Sequence, residues 1–367
     1  MATVADLCRV LESIAPLHLA AEWDNVGLLV GDKSAPVERI MTCLTVTPEV
    51  VGEAVREKAG LIVSHHPMLF RATQKLIAST TEGAMLLRLI AAGIAVYSPH
   101  TAWDNAPGGI NDGLARRLGL LNVAPLRSID APANSKIVVF VPDADLAKVS
   151  DALFSAGTGV IGQYSECSFR LAGTGTFHGS ETANPTVGEK GRREEVAEWR
   201  LEVVCAQARV ADAVRAMRRA HSYEEPAYDV YPLRPDGTRY GSGRIGDLPE
   251  PIAFGELARQ TREVLRSKCM QIVGDADRKV QRVGLACGTA GEFLKDAQRA
   301  GAEVFLTGEL RFHDALLAEA GGTAVLIPGH YATERPAMED LAATLQSKLS
   351  GLRVWASKAE RDPLANL

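Results

Sequence analysis

The stretch Arg39-Ile-Met-Thr-Cys-Leu-Thr-Val46, followed by Pro48 to Ala59, Gly60 and Leu61-Ile-Val63, decides the fold. A short apolar run rich in β-branched residues, a helical pattern stopped by glycine and a second apolar run make one β-α-β unit. Beyond it, Glu82 to Ala92 reads as a helix closed by Gly93, Ile94 to Tyr97 as a strand, and Asn111 to Leu118 as a helix ended by Gly119. Such alternation predicts a mostly parallel sheet covered by helices.

The same order returns near the other end, from the strand Arg282-Val-Gly-Leu-Ala-Cys287 and the helix Glu292 to Ala300. Val304-Phe-Leu306, a helix around Ala315 to Ala320, Ala324-Val-Leu-Ile327, a helix from Glu334 to Leu349 and Arg353-Val-Trp355 follow. Ala-Gly precedes a strand at 59–60 and again at 300–301. His100 and His330 each follow a strand and each has a carboxylate four residues on, Asp104 and Glu334. The halves therefore read as a diverged duplication, two related three-layer α/β lobes with mostly parallel sheets forming one core.

Between them the texture changes. Lys136 to Val141, Ala144 to Ala156, Cys167 to Leu171 with Gly175 to Phe177, Arg200 to Cys205, Val210 to Ala220 and Tyr228 to Tyr231 approximate β-α-β-β-α-β, a ferredoxin-like α+β insert. Thr182 to Glu195 reads as a loop. The expected domains are an N-terminal lobe over 1–127, the insert over 128–246 and a C-terminal lobe over 247–367, in keeping with a 367-residue chain too long for one core.

Composition narrows the function classes. A formal charge of −5 supplies no general field for a phosphate backbone, so general nucleic-acid binding is not expected. Met1 to Val10 lacks a basic region followed by an apolar core, and no apolar run reaches spanning length, so the expectation is a cytoplasmic protein without a membrane partner. Six scattered cysteines with no C-x-x-C pair read as reduced and mostly buried.

Loops leaving the carboxyl ends of strands converge on the ligand crevice of an open α/β sheet. His65-His66, His100 to Asp104 and His330 to Glu334 all occupy such loops, so His65, His66, Asp104, His330 and Glu334 are candidate metal ligands. Imidazole with carboxylate suits Zn, Mn, Fe, Co or Ni. Five ligands exceed what one tetrahedral ion needs once a position is left for water, so two divalent ions are expected, with Glu334 or Asp104 bridging. The benign alternative for Glu334 is a first-turn carboxylate behind an N-cap at Thr333. Glu309 is the candidate general acid/base, with His313 as a weaker companion, and His100 orients Asp104 or carries a proton. Trp23-Asp24-Asn25 shapes a rim or a turn. Pro107-Gly108-Gly109 cradles phosphate or simply turns, and His221 to Glu225 forms a separate patch or a turn.

Five motifs carry a resemblance across nearly the whole chain: Trp23 to Asp32, Ser64-His-His-Pro-Met-Leu-Phe70, Ser98 to Asn111, Thr307-Gly-Glu309 and Gly329-His-Tyr-Ala-Thr-Glu334. They resemble the dinuclear metal proteins known as GTP cyclohydrolase I type 2, or Nif-three-like, proteins. Gly162 to Phe169 and His221 to Asp229 are similar to that family's optional insert, itself like small trimeric signalling and metal-tolerance domains. The resemblance implies the same five metal ligands and a toroidal homohexamer with its sites facing an inner cavity. Its label of GTP ring opening suggests a nucleotide-like small-molecule ligand. Thr45 stands where many members have Asp, and Ala102-Trp103 replaces a commoner Asn-Leu pair; neither is expected to touch a ligand. Three functions fit: a metal-dependent hydrolase, a metal-responsive regulatory or binding protein, and a metal-delivery protein.

Overall fold

A computed structural model describes residues 2–129, 134–162, 164–234 and 240–365. The chain divides into two compact units, residues 1–129 with 239–367 and residues 130–238.

The first unit holds two main sheets. In one, Arg353–Ala356, Arg39–Cys43, Leu61–Ser64 and Ala95–Ser98 run parallel in that order, and Gly27–Val30 closes the edge antiparallel. Leu61–Ser64 and Ala95–Ser98 are buried at every residue, as strands covered on both faces must be. In the other sheet the order is Gln271–Val273, Ala324–Ile327, Val304–Thr307, Lys279–Ala286, Gly241–Ala253 and Leu121–Ser128. Its three strands between residues 279 and 327 are parallel and the rest are antiparallel. The chain exchanges strands between the sheets: Leu121–Ser128 joins the second and Arg353–Ala356 the first. The helices Val4–Ile14 and Phe254–Val264, which the sequence patterns did not predict, pack into the shared core through Leu7, Leu11, Phe254 and Leu257.

Arg244 is 1% exposed and anchors the turn below the Asp104 segment. Its guanidinium donates to Asp112, to the carbonyls of Gly241 and Gly243 at 2.7 Å each, and to that of Ala106 at 3.0 Å. Removing Arg244 leaves the part-buried Asp112 carboxylate and three backbone carbonyls without their donor. Arg244→Met should therefore lower unfolding free energy by about 3–5 kcal/mol in urea titrations; a change of less than about 1 kcal/mol would contradict this role.

The second unit has the order Asn134–Val141, Leu146–Ser155, Ser168–His178, Arg193–Ala206, Val210–Ala220 and Tyr228–Leu233. The strands are antiparallel and the last, first, third and second lie side by side in that order, a split β-α-β-β-α-β arrangement. Ile137, Val139, Leu201 and Val203 face Val149, Leu153 and Met217 of the helices. The two strand fragments read at 167–171 and 175–177 are one strand, because Gly173 and Thr174 keep the ladder with Glu198 and Ala197. Its partner begins at Arg193, inside the stretch read as loop.

Candidate metal centre

Strand ends and helix starts deliver every proposed ligand to one cleft of the first unit. His65 and His66 leave Leu61–Ser64, their backbone N–H groups donating hydrogen bonds to the Cys43 and Leu44 carbonyls at 2.9 Å. Helix His100–Asn105 starts two residues beyond Ala95–Ser98 and presents Asp104. Helix His330–Lys348 starts three residues beyond Ala324–Ile327, so His330 and Glu334 are i and i+4 on one helical face. Gly329 caps that helix at φ 103°, one turn earlier than a Thr333 cap would place it. Thr333 instead lies inside the helix, donating to the His330 carbonyl at 2.8 Å and accepting from Gly288 N at 3.1 Å.

Glu334 Oε2 is 3.0 Å from both His66 Nε2 and His330 Nε2, and the two imidazole nitrogens are 3.4 Å apart. Its other oxygen, Oε1, lies 4.0 Å from His65 Nε2, which is 3.6 Å from Asp104 Oδ1. Two overlapping groups, His65 with His66 and His100, and His66 with His330 and Glu334, each bring their ligand atoms within 4.8 Å of one another.

These residues fit a bound cation. His65 is 1% exposed, yet both its ring nitrogens are buried without a hydrogen-bond partner, an arrangement that buried polar atoms otherwise avoid. Gly288, at φ 64°, leaves the cleft open: a Cβ there would lie 2.3 Å from Glu334 Oε1 and 3.4 Å from His330 Nε2. Electrostatics agree. Burial pushes the His65 imidazole well below its ordinary range and the Asp104 carboxyl up to about 7. Burial would raise Glu334 too, but the bonds from His330 and His66 outweigh it and hold its carboxyl far below the usual range. Burial disfavours charge on His330, yet Glu334 and Glu309 raise it to about 9. Cation binding takes the place of such protons.

The His66 and His330 imidazoles are each oriented from behind, which fixes the nitrogen offered to the cleft. Thr45 Oγ1 lies 2.7 Å from His66 Nδ1, and Glu309 Oε1 lies 2.9 Å from His330 Nδ1 while Glu309 Oε2 accepts from Thr289. Glu360 accepts from Leu44 N and Thr45 N, tying the Thr45 loop to the C-terminal segment. His100, at φ 26°, meets the solvent-shielded side chain of Asp24: Nδ1 and Oδ1 are 2.8 Å apart, and Thr101 donates to the other carboxylate oxygen.

The expectation that the two departures avoid the ligands fails, since Thr45 bonds His66 and the Trp103 ring lies 6.2 Å from that of His65. Trp23 stands 63% exposed at the rim, edge-on to His100, with Asp24 beneath. Gly109 makes a tight turn, its Cα so close to the Trp103 carbonyl that a Cβ would lie 1.8 Å from that oxygen. His313 is exposed, its ring against Phe312. All six cysteines are free; Cys269 is exposed, and buried Cys287 places its sulfur 3.5 Å from Asp104 Oδ1.

A sequence profile of the Duf34/NIF3 (NGG1p interacting factor 3) family matches residues 2–363. The chain belongs to the Duf34/NIF3 family. A GTP cyclohydrolase 1 type 2 homolog of Halalkalibacterium halodurans is 35% identical over 358 residues, spanning 97% of this chain and 96% of that one. Among solved structures, a Bacillus cereus protein related to NIF3 is 35% identical with a TM-score of 0.77, over 100% of this chain and 99% of its own. A Staphylococcus aureus protein is 27% identical with a TM-score of 0.81 and the same coverage. The NIF3 likeness thus spans both compact units. Thr289 and Gly288 are the site residues that sequence reasoning missed, and Asp24 was read only as part of a rim or a turn; the glycine after a strand end, Ala286-Cys-Gly288, was the available signal.

Among the described residues no helix is long and apolar enough to cross a membrane.

Proposed function

We propose that this chain is a dinuclear metal-binding hydrolase of a nucleotide-like small molecule, acting in the cytoplasm as a toroidal homohexamer. The observation that carries the reading is the Glu334 carboxylate, with one oxygen 3.0 Å from two imidazoles and the other 4.0 Å from His65, which in turn lies 3.6 Å from Asp104. In this reading His65, His66, Asp104, His330 and Glu334 would hold the two ions, with Glu334 the ligand that both would share. A pair of divalent ions supplies Lewis acidity and water made nucleophilic near neutral pH. His100, backed by Asp24, moves the proton, because its ring sits 5.1 Å from that of His65 and 5.7 Å from that of His66. The carboxylate of Glu309 has a prior task in aiming His330, and Trp23 at the rim offers a flat face to a base. The nucleotide preference rests on the name of the curated relatives, GTP cyclohydrolase 1 type 2 homolog.

Metal analysis of the purified protein combined with turnover on a panel of nucleotides, GTP included, tests this. The expected outcome is two divalent ions per chain, hydrolysis of at least one nucleotide, and a His100→Gln variant that keeps its metal and loses roughly 100-fold or more in rate. Full metal loading with no turnover would overturn the hydrolase reading in favour of a regulatory or metal-delivery protein. Sedimentation should give six copies of the 39.2 kDa chain; a monomer or dimer at micromolar concentration would overturn the hexamer.

A further inference from the structure

The strand Arg353–Ala356 runs on into a segment, residues 357–362, that is fastened at several points. Ser357 N donates to the Thr42 carbonyl at 2.8 Å, and Arg335 Nη2 donates to the Ser357 carbonyl at 2.7 Å. The buried Glu53 carboxylate accepts from Trp355 Nε1, Ser357 Oγ, Lys358 N and Ala359 N at 2.7 to 3.2 Å. This anchorage sets the place of Glu360, whose side chain is 3% exposed.

One Glu360 oxygen, Oε1, accepts from Leu44 N at 2.6 Å and from Thr45 N at 2.9 Å, and the other lies 2.7 Å from Arg335 Nε. Leu44 and Thr45 lie just beyond the end of Arg39–Cys43, so their N–H groups find an acceptor in a side chain 316 residues from Leu44 rather than in the ladder. Both residues so held touch His66. The Leu44 carbonyl accepts from His66 N at 2.9 Å, and Thr45 Oγ1 lies 2.7 Å from His66 Nδ1. Glu360 therefore reaches His66 by two routes, one ending on its backbone and the other on its ring. On the far side of the carboxylate, Arg335 directly follows Glu334 on helix His330–Lys348.

Resting on the metal-centre reading above, we propose that Glu360 is a positioning residue of that centre, holding the Leu44–Thr45 loop so that the Leu44 carbonyl and the Thr45 hydroxyl set the orientation of His66. Its action passes through the loop and not through contact with an ion. A charged acceptor holds backbone N–H groups more firmly than a neutral one, and a ligand that loses its orienting partners binds metal less well.

Glu360→Asp, Thr45→Val and the double variant test this in the full-length protein. Zn2+ affinity is read by chelator competition, and circular dichroism with the thermal midpoint establishes that each variant is folded. Glu360→Asp keeps the charge for Arg335 but draws the oxygens back from the two amides by one methylene. It should weaken Zn2+ binding about 10-fold, as loss of an orienting partner does. Thr45→Val should do the same. Because both act on His66 through one loop, the double variant should lie within about threefold of either single, whereas independent sites would multiply to roughly 100-fold. Glu360→Gln keeps the reach and an oxygen for both amides, and should stay within about threefold of the wild type. Undiminished affinity in Glu360→Asp, or the full product in the double variant, would overturn the proposal. Equal losses in Glu360→Gln and Glu360→Asp would overturn it too, by making charge rather than grip on the amides the cause. Wild-type protein that binds no Zn2+ would overturn the metal-centre reading and this proposal with it; binding lost in Glu334→Gln but intact in Glu360→Asp would overturn this proposal alone.

Discussion

Glu334→Gln should strip the protein of tightly held divalent metal, weakening affinity by at least about 100-fold in chelator competition. The carboxylate is 4% exposed and contacts two imidazole nitrogens at 3.0 Å. The amide keeps its shape but removes the charge, and it can turn only one acceptor oxygen toward two cations. Partners that merely orient a ligand are worth about 10–100-fold when removed, so losing the ligand that the two proposed ions would share must cost more. Thr45→Val, which deletes the hydroxyl 2.7 Å from His66 Nδ1, should cost about 10-fold. The ranking is what matters: a Thr45 variant weaker in metal than the Glu334 variant would make the threonine, not the carboxylate, the organiser of the cleft. Plasma mass spectrometry of protein after gel filtration reads both.

Gly288→Ala is expected to have the second-largest effect, through a residue that touches the cleft only by lacking a side chain. At φ 64° a Cβ costs roughly 1–2 kcal/mol, and here it would also lie 2.3 Å from Glu334 Oε1. Glu334 must then move, and metal content should fall at least about 10-fold. Gly93→Ala separates the two contributions, because Gly93 has φ 66° but open space around its Cβ position. It should lose similar stability in urea and no metal. Unchanged metal in Gly288→Ala would mean that the carboxylate has slack that the packing does not suggest.

The parallel centres of both sheets were legible in sequence because each strand is a short β-branched run closed by a glycine-stopped helix, as at Leu61–Ser64 and Val304–Thr307. The antiparallel edges were not. Gly241–Ala253 carries glycines, prolines and charges that follow no period, and its pairing with Leu121–Ser128 reaches more than a hundred residues back along the chain. The histidine and carboxylate pairs stood out because i, i+4 on a helix is a local relation, while their meeting with His65 and His66 depends on two sheets sharing one cleft. Asp24 behind His100, 76 residues apart, and Gly288 against Glu334 are long-range relations of that kind, invisible to local pattern. The helix start was misplaced by one turn because Gly329, at positive φ, caps it without a side-chain bond, and a threonine further on looked like the better cap.

Anomalous diffraction from crystals of the metal-loaded protein, collected at the absorption edge of the bound metal, tests the central claim most directly. The account predicts two peaks flanking the Glu334 carboxylate, one beside His65 and Asp104 and the other beside His66 and His330. A single peak bound by other residues, or none at these five after loading, would contradict it.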